Sequence, residues 1–225
     1  MHVITDERCL GYSQPGHPER PQRVAGTLAV LRAHREIEII WKEPLAVTDE
    51  AIARAHEQAH LQRIANPDGP LDGDTPDYPE IDAHARRSIG GGLRALELAR
   101  EGKPNFSLLR PPGHHATRDQ AMGFCYFNSI AITALAARAA GVEKVAVFDF
   151  DVHHGNGTED ILRTVEGTAF FSIHQHPAYP GPGTESSDNC RNYTARPNLP
   201  REDYRKIAER AVADLKAYGP DVVIV

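Results

Sequence analysis

Residues 144–158 read KVAVFDFDVHHGNGT, and this stretch decides the fold. Val145, Ala146, Val147 and Phe148 form a short apolar run rich in β-branched residues, the pattern of a buried strand. A polar loop opens at Asp149 and closes on Gly155 and Gly157. In an open α/β sheet, ligands bind beyond the carboxyl ends of the strands. That rule puts Asp149, Asp151, His153 and His154 where chemistry is expected. Asp151 and His153 are two apart, so in extended chain their side chains point the same way. A carboxylate oxygen and an imidazole nitrogen on one side make half of a divalent-metal site. The plainer alternative has Asp149 and Asp151 capping a following helix and the histidines solvated.

Outward from this stretch, helices and strands alternate. Residues 128–140 form an Ala-rich apolar helix that Gly141 ends as a left-handed cap. Residues 158–165 read as a helix, and Thr168–His174, TAFFSIH, as a strand that runs into the loop HQHPAYPGPGT. Residues 201–218 form an amphipathic helix with Tyr204, Ile207, Ala211 and Leu215 on one face. Asp221–Val225, DVVIV, reads as one more buried strand. Toward the N-terminus, FSLLR at 106–110 is a strand. A helix over 81–100 contains Gly90, Gly91 and Gly92, which are costly inside a helix and point to close backbone packing or a break. Thr48 caps a helix over 49–64, residues 66–79 are an exposed loop, residues 20–35 a helix, and residues 1–20 loop-like. The fold class is therefore α/β, an open and mainly parallel sheet with helices on both faces.

Composition excludes several roles. A length of 225 residues fits one α/β domain or most of one. The net charge is −6 and no basic run appears, which argues against direct nucleic-acid binding. No apolar run is long enough to span a membrane, and the start, MHVITDERCLGYSQ, lacks the pattern of a signal peptide. Cys9, Cys125 and Cys190 are odd in number and far apart, so no disulfide framework is expected and a reducing, cytoplasmic location is. Of twelve histidines, six fall in three groups: His114–His115, His153–His154, and His174 with His176. Grouped histidines near Asp and Gly point to metal or proton-transfer work.

Parallel strands bring their ends to one sheet edge, so the clusters after 110, 149 and 174 are expected to share a pocket. A metal on Asp151 and His153 would acidify a bound water and polarise a carbonyl. Two adjacent histidines facing it can serve as general base and acid, with Asp149 and Asn156 available to orient them. A double histidine beside glycine is equally a structural turn.

The segments PPGHHA (111–116), GFCYFNS (123–129), DFDVHHGNGT (149–158) and SIHQHPAYPGPGT (172–184) together resemble the histone deacetylase superfamily, which includes the acetylpolyamine amidohydrolases. The resemblance runs from about residue 12 to the end, in the family's order and spacing, and Asn156 resembles the class II-like and bacterial branch. It implies an arginase/deacetylase-like fold and zinc-dependent hydrolysis of an N-acetyl-lysine or acetylpolyamine amide. It makes Asp151 and His153 zinc ligands, and His114 and His115 the tandem pair, with Asp149 behind His114 and Asn156 behind His115. Gly123, Phe124 and Tyr179 would line the acyl-lysine tunnel, and Asp74 would match a rim aspartate or be a solvated loop residue. The resemblance further implies a potassium ion on the carbonyls of Asp149, Asp151, His153 and Ile173 and the side chains of Asp149 and Ser172.

The family's third zinc ligand, an aspartate after the next strand, and its later transition-state tyrosine have no counterpart in these 225 residues. The expectation is an N-terminal portion of a single deacetylase-like domain, C-terminal part missing, inactive or poorly folded alone. Two alternatives stay open: a non-catalytic module that binds acyl-lysine or a partner, and a two-metal ureohydrolase of the arginase type.

Overall fold

In a computed structural model that describes residues 1–225, the chain forms two compact units, residues 1–133 and 134–225. The division falls within one helix, and each unit carries its own parallel sheet.

In the first unit, β1 (His2–Ile4), β2 (Ile40–Lys42) and β3 (Asn105–Ser107) pair in the order β2-β1-β3. Val3 lies between Trp41 and Phe106. It packs with Cys9 and Leu108, and with Val24 and Leu28 of helix α1 (Gln22–Ala33). Residues 1–20 thus contain a central strand, where the sequence reading expected only loop. Three residues are too few to show a period. The strand expected over 106–110 runs from Asn105 to Ser107, with Leu108 N–H still donating to Ile4 O at 2.8 Å, and Arg110 beyond it is a buried cation. β3 pairs with β1, so the expected common edge with the strand at 145–149 is not formed by hydrogen bonding.

The helix expected over 49–64 is two helices, α2 (Asp49–Ile52) and α3 (Gln58–Ala65). Thr48 takes the N-cap position of α2, but its side chain makes no capping bond. Between the helices, Glu57 N–H donates to Arg118 O at 2.9 Å, a tertiary partner that replaces the helical one.

Helix α4 (Ile81–Arg100) runs unbroken through its three glycines. A Cβ on Gly90 would stand 2.1 Å from Leu45 O, on Gly91 2.4 Å from Leu109 Cδ1 and Ser107 Oγ, and on Gly92 2.3 Å from Thr133 Oγ1. Leu45 N–H donates to Gly90 O at 3.1 Å. Backbone thus approaches the helix at Gly90 and side chains approach it at Gly91 and Gly92, and this packing offsets a propensity cost of about 1 kcal/mol each.

Helix α5 (Ser129–Ala139) carries the division, and Gly141 follows it at φ 86°. The second unit contains β4 (Val145–Asp149), α6 (Asn156–Leu162), β5 (Thr168–Gln175), β6 (Cys190–Ala195), α7 (Arg201–Tyr218) and β7 (Val222–Ile224). Its sheet is parallel throughout, in the order β6-β5-β4-β7. Ala146, Ala169, Phe171, Ile173 and Tyr193 face α7 and pack on its Ile207, Ala211 and Leu215. Tyr193 also donates its hydroxyl to Asp214 at 2.7 Å. By alternation Phe170, Ser172 and His174 point to the opposite face, where the His154 ring, leading into α6, packs on Phe170 and His174. The parallel sheets and flanking helices match the expected class. Two local expectations need correction. α6 starts at Asn156 and stops at Leu162, and β7 is half-exposed at the sheet edge rather than buried, with Val223 at 42%.

Two glycine substitutions separate these effects. Gly90→Ala is expected to destabilise the chain by about 1–3 kcal/mol, because no neighbour can yield to a Cβ against Leu45 O. Gly26→Ala, on the exposed face of α1 with open space around it, is expected to stabilise by about 0.5–1 kcal/mol. Urea unfolding of the two variants checks both signs.

Candidate active site

In the second unit the site grows out of the end of β4. Asp149 is the last residue of that strand and sits opposite Ser172 in register. Its carboxylate accepts Asp151 N–H at 3.0 Å, and Asp151 Oδ1 accepts His153 N–H at 2.8 Å. These two turns, each closed by an aspartate on the amide two residues on, end the strand. Neither acid caps α6, whose N-cap is Gly155. Asp151 and His153 do share a side, but through this turn and not through extended chain. His153 Nδ1 stands 3.2 Å from Asp151 Oδ1, and both side chains are a little under half exposed.

That spacing bears on zinc. Two ligands at about 2.0–2.1 Å in tetrahedral geometry stand about 3.3 Å apart. The donor pair therefore fits one edge of a zinc tetrahedron. No third His, Cys, Asp or Glu of this chain joins the pair. The Tyr179 ring stands edge-on to His153 at 5.9 Å and is 40% exposed. Asn156 opens α6, half-buried. Ser172, expected to offer its side chain to potassium, is fully buried, and Ile173, expected to offer its carbonyl, has its side chain in the core facing α7.

A buried polar seam behind this turn escaped the sequence reading. The Glu159 carboxylate meets His154 Nε2 at 2.8 Å and accepts from Asn192 Nδ2 at 2.8 Å and from Arg163. Burial opposes its charge, but these three partners hold its pKa down at about 2. The His154 ring packs at a tilt against His174, centres 4.5 Å apart, and Gly183, at φ 91°, comes so close that a Cβ would lie 2.6 Å from the His154 ring. His174 Nε2–H donates to Gly183 O at 3.0 Å, so Nδ1 is bare and accepts from Ser172 Oγ at 2.9 Å. The seam thus ties the turn after β4 to the glycine loop that carries Tyr179. Its only sequence signal was two histidines spaced like their neighbours, because burial of Glu159 and Asn192 has no pattern of its own.

In the first unit, the His114 and His115 rings lie with centres 3.9 Å apart, tilted by 43°, and His115 is buried. Four residues earlier, Arg110 is 2% exposed and fully engaged. Its Nε donates to Glu19 Oε1 at 2.6 Å, its Nη2 to Glu19 Oε2 at 2.5 Å and its Nη1 to Cys9 O at 2.8 Å, and the guanidinium lies 4.0 Å over the Tyr12 ring. Gly123 and Phe124 occupy the two central positions of a tight turn between Met122 and Cys125, at φ 57° and 69°. A phenylalanine held at positive φ is strained backbone, of the kind that clusters at functional sites. Phe124 N–H donates to Thr75 Oγ1 at 3.1 Å, and the His17 ring meets the Phe124 ring at 5.0 Å. Asp74 is drawn to the same place. His17 Nε2 donates to Asp74 O at 3.1 Å, and the Gly123 backbone hydrogen-bonds the carboxyl. Burial and the adjacent Asp72 carboxyl raise the pKa of Asp74. Burial opposes ionisation of Asp72 too, but bonds from Asp74, Thr75 and Gly123 lower its pKa. The structure therefore brings Asp74, Gly123 and Phe124 together, and separately Asp149, Asp151, His153 and Tyr179.

The seam sets an acid limit. Burial and the His154 ring push His174 from its ordinary 6.5 to about 4, so its neutral form stabilises the fold. That contribution is complete above pH 6.5 and is lost as the pH falls toward 4; the ionised Glu159 adds a loss from 4.5 toward 2. Urea midpoints are expected to fall steadily below pH 6.5, and His174→Gln is expected to flatten the first part of that fall.

The histone deacetylase domain matches residues 17–225. The chain is 37% identical over 238 residues to the histone deacetylase-like amidohydrolase of Pseudomonas aeruginosa, covering 96% of this chain and 62% of that one. The crystal structure of the HDA15 HD domain superposes with a TM-score of 0.90 at 30% identity, over 99% of this chain and 72% of that chain. The acetylpolyamine aminohydrolase of Burkholderia pseudomallei shares the fold, with a TM-score of 0.87 at 24% identity, over 99% and 80%. The chain spans about half the length of two further curated relatives, the probable deacetylases of Archaeoglobus fulgidus and Methanothermobacter thermautotrophicus, at 53% and 54%. By the domain match and these relatives, the chain belongs to the histone deacetylase family.

Proposed function

We propose that this chain contributes to zinc-dependent hydrolysis of an acylated amine, with N-acetyl-lysine or an acetylpolyamine as substrate. The observation that carries the reading is the Asp151–His153 donor pair, spaced as one edge of a zinc tetrahedron in a chain whose named relatives are deacetylases and amidohydrolases. Asp151 and His153 would hold the metal, which when bound supplies a Lewis acid for the amide carbonyl and an acidified water.

The other steps fall to the chain's own groups. One imidazole of the His114–His115 pair takes the proton of the attacking water, and the pair returns a proton to the leaving amine nitrogen. Asp149 fixes Asp151 by accepting its backbone N–H. Phe124 and Tyr179 offer aromatic faces to an acyl-lysine stem. Asp74 offers a carboxyl to the rim, which suits a cationic amine substrate. The carbonyls of Asp149, Asp151, His153 and Ile173, with the side chains of Asp149 and Ser172, are proposed to hold potassium. A cytoplasmic location agrees with three free, buried cysteines.

Zinc competition with a chelating dye tests the donor assignment. His153→Ala is expected to weaken zinc binding by about 100-fold or more, beyond the loss seen for groups that only support a ligand; unchanged stoichiometric zinc would sink the assignment. Acetate release from an acetyl-lysine peptide and an acetylated polyamine, by the full polypeptide its gene encodes, tests the reaction. Zinc-dependent release, lost in His114→Ala and His115→Ala, is expected. Peptide binding without release would favour a binding module, and two metals per chain a ureohydrolase.

A further inference from the structure

The segment from Gly113 to Ser129 leaves and returns at one point. A Cβ on Gly113 would lie 2.7 Å from both N and Oγ of Ser129 and 3.1 Å from Phe127 O. His114 and His115 sit at the neck of this closed segment, and Phe124 at the turn between Met122 and Cys125. Three hydrogen bonds tie it to residues 56–60. Glu57 N–H donates to Arg118 O at 2.9 Å. His60 Nε2 lies 2.8 Å from Tyr126 O; a carbonyl can only accept, so Nε2 carries the proton. Asn128 N–H donates to His56 Nε2 at 2.9 Å, so that nitrogen is bare and the ring proton is on Nδ1.

Asn128 is the hub. It is fully buried, its Nδ2 donates to Ala116 O at 3.1 Å, and its Oδ1 accepts Ala131 N–H at 2.9 Å in the first turn of α5. It therefore links the residue after His115 to the helix that closes the segment. His56 takes the main-chain N–H of this hub. To do so the imidazole must be neutral. Burial first, and the His60 ring second, hold its pKa down at about 3. His56 stacks on His60 at 4.9 Å, Phe127 covers both rings, and His56 is 4% exposed, so water does not compete for the bond.

We infer that His56 is a positioning residue for the His114–His115 pair, acting through Asn128. The inference rests on the reading of that pair as the acid–base groups. His56 touches neither the pair nor a substrate in this role: it fixes the neck from which the pair projects.

The test uses the chain as it stands, labelled uniformly with ¹⁵N. Long-range ¹H–¹⁵N spectra are expected to show His56 as the Nδ1–H tautomer at neutral pH. His56→Leu keeps the bulk and loses the acceptor. It is expected to shift the ring resonances of His114 and His115 and to speed exchange of Asn128 N–H by about 10-fold, the loss of one hydrogen bond. His56→Gln, whose side-chain oxygen can take the same N–H, is expected to restore both. In acetate release by the full polypeptide, His56→Leu is expected to lower kcat by about 10²-fold with KM little changed, and His56→Gln to recover most of it. An Nε2–H tautomer in the native chain, or native His114 and His115 resonances in His56→Leu, would overturn the role. If His56→Leu fails to fold, the native tautomer and His56→Gln still decide. Ring shifts as expected, with no acetate released by the native polypeptide, would leave the positioning role standing and remove the hydrolase reading.

Discussion

Two carboxylate-to-amide hydrogen bonds hold the exit of β4. Asp149 accepts from Asp151 N–H, and Asp151 from His153 N–H. A strand that kept pairing would send the side chains of Asp149 and Asp151 to the same face as each other and separate them from the backbone. The successive turns instead give each acid a main-chain donor and leave Asp151 with an oxygen beside the His153 ring. The donor spacing, the aromatic contact of Tyr179 with His153 and the entry into α6 all follow from this turn. A buried, charged seam from Glu159 through His154 to His174 backs it. Glu159 bonds His154, Asn192 and Arg163 there, while His154 Nδ1 and Asn192 Oδ1 are buried without a hydrogen-bond partner.

The first unit solves a related problem with different chemistry. Its candidate acid–base pair lies on a segment without regular structure, and order comes from the segment's neighbours. Arg110 is saturated by Glu19, Cys9 O and the Tyr12 ring just before the pair. Residues 56–60 clamp the segment after it. The glycines of α4 let Leu45, Leu109 and Thr133 approach the helix backbone and so fix the floor under this region. Loops that carry chemistry need a rigid scaffold of this sort.

Legibility in the sequence followed local pattern. β4, β5 and α7 read correctly because their apolar periods are long enough to count, and the polar clusters after 149 and at 114–115 stood out by residue type. Gly90–Gly92 left close packing and a helix break both open, and the structure has the packing in an unbroken helix. β1, β2 and β6 were missed: HVI and IWK are too short to alternate, and CRNYTA is mostly polar yet half-buried, placed by its pairing with β5. The break between α2 and α3 was invisible because a tertiary partner, Arg118 O, replaces a helical bond. Glu159, Asn128 and His56 were passed over for the same reason. Each is polar and buried through partners far away in sequence, and no period or spacing encodes such a partner.

The central claim is that Asp151 and His153 are zinc ligands. X-ray absorption at the zinc edge, on the zinc-loaded protein at one equivalent, tests it most directly. The account predicts a first shell of nitrogen and oxygen only, at about 2.0–2.1 Å, with a single imidazole that disappears in His153→Ala. A sulfur scatterer near 2.3 Å, or an imidazole signal that survives His153→Ala, would contradict it.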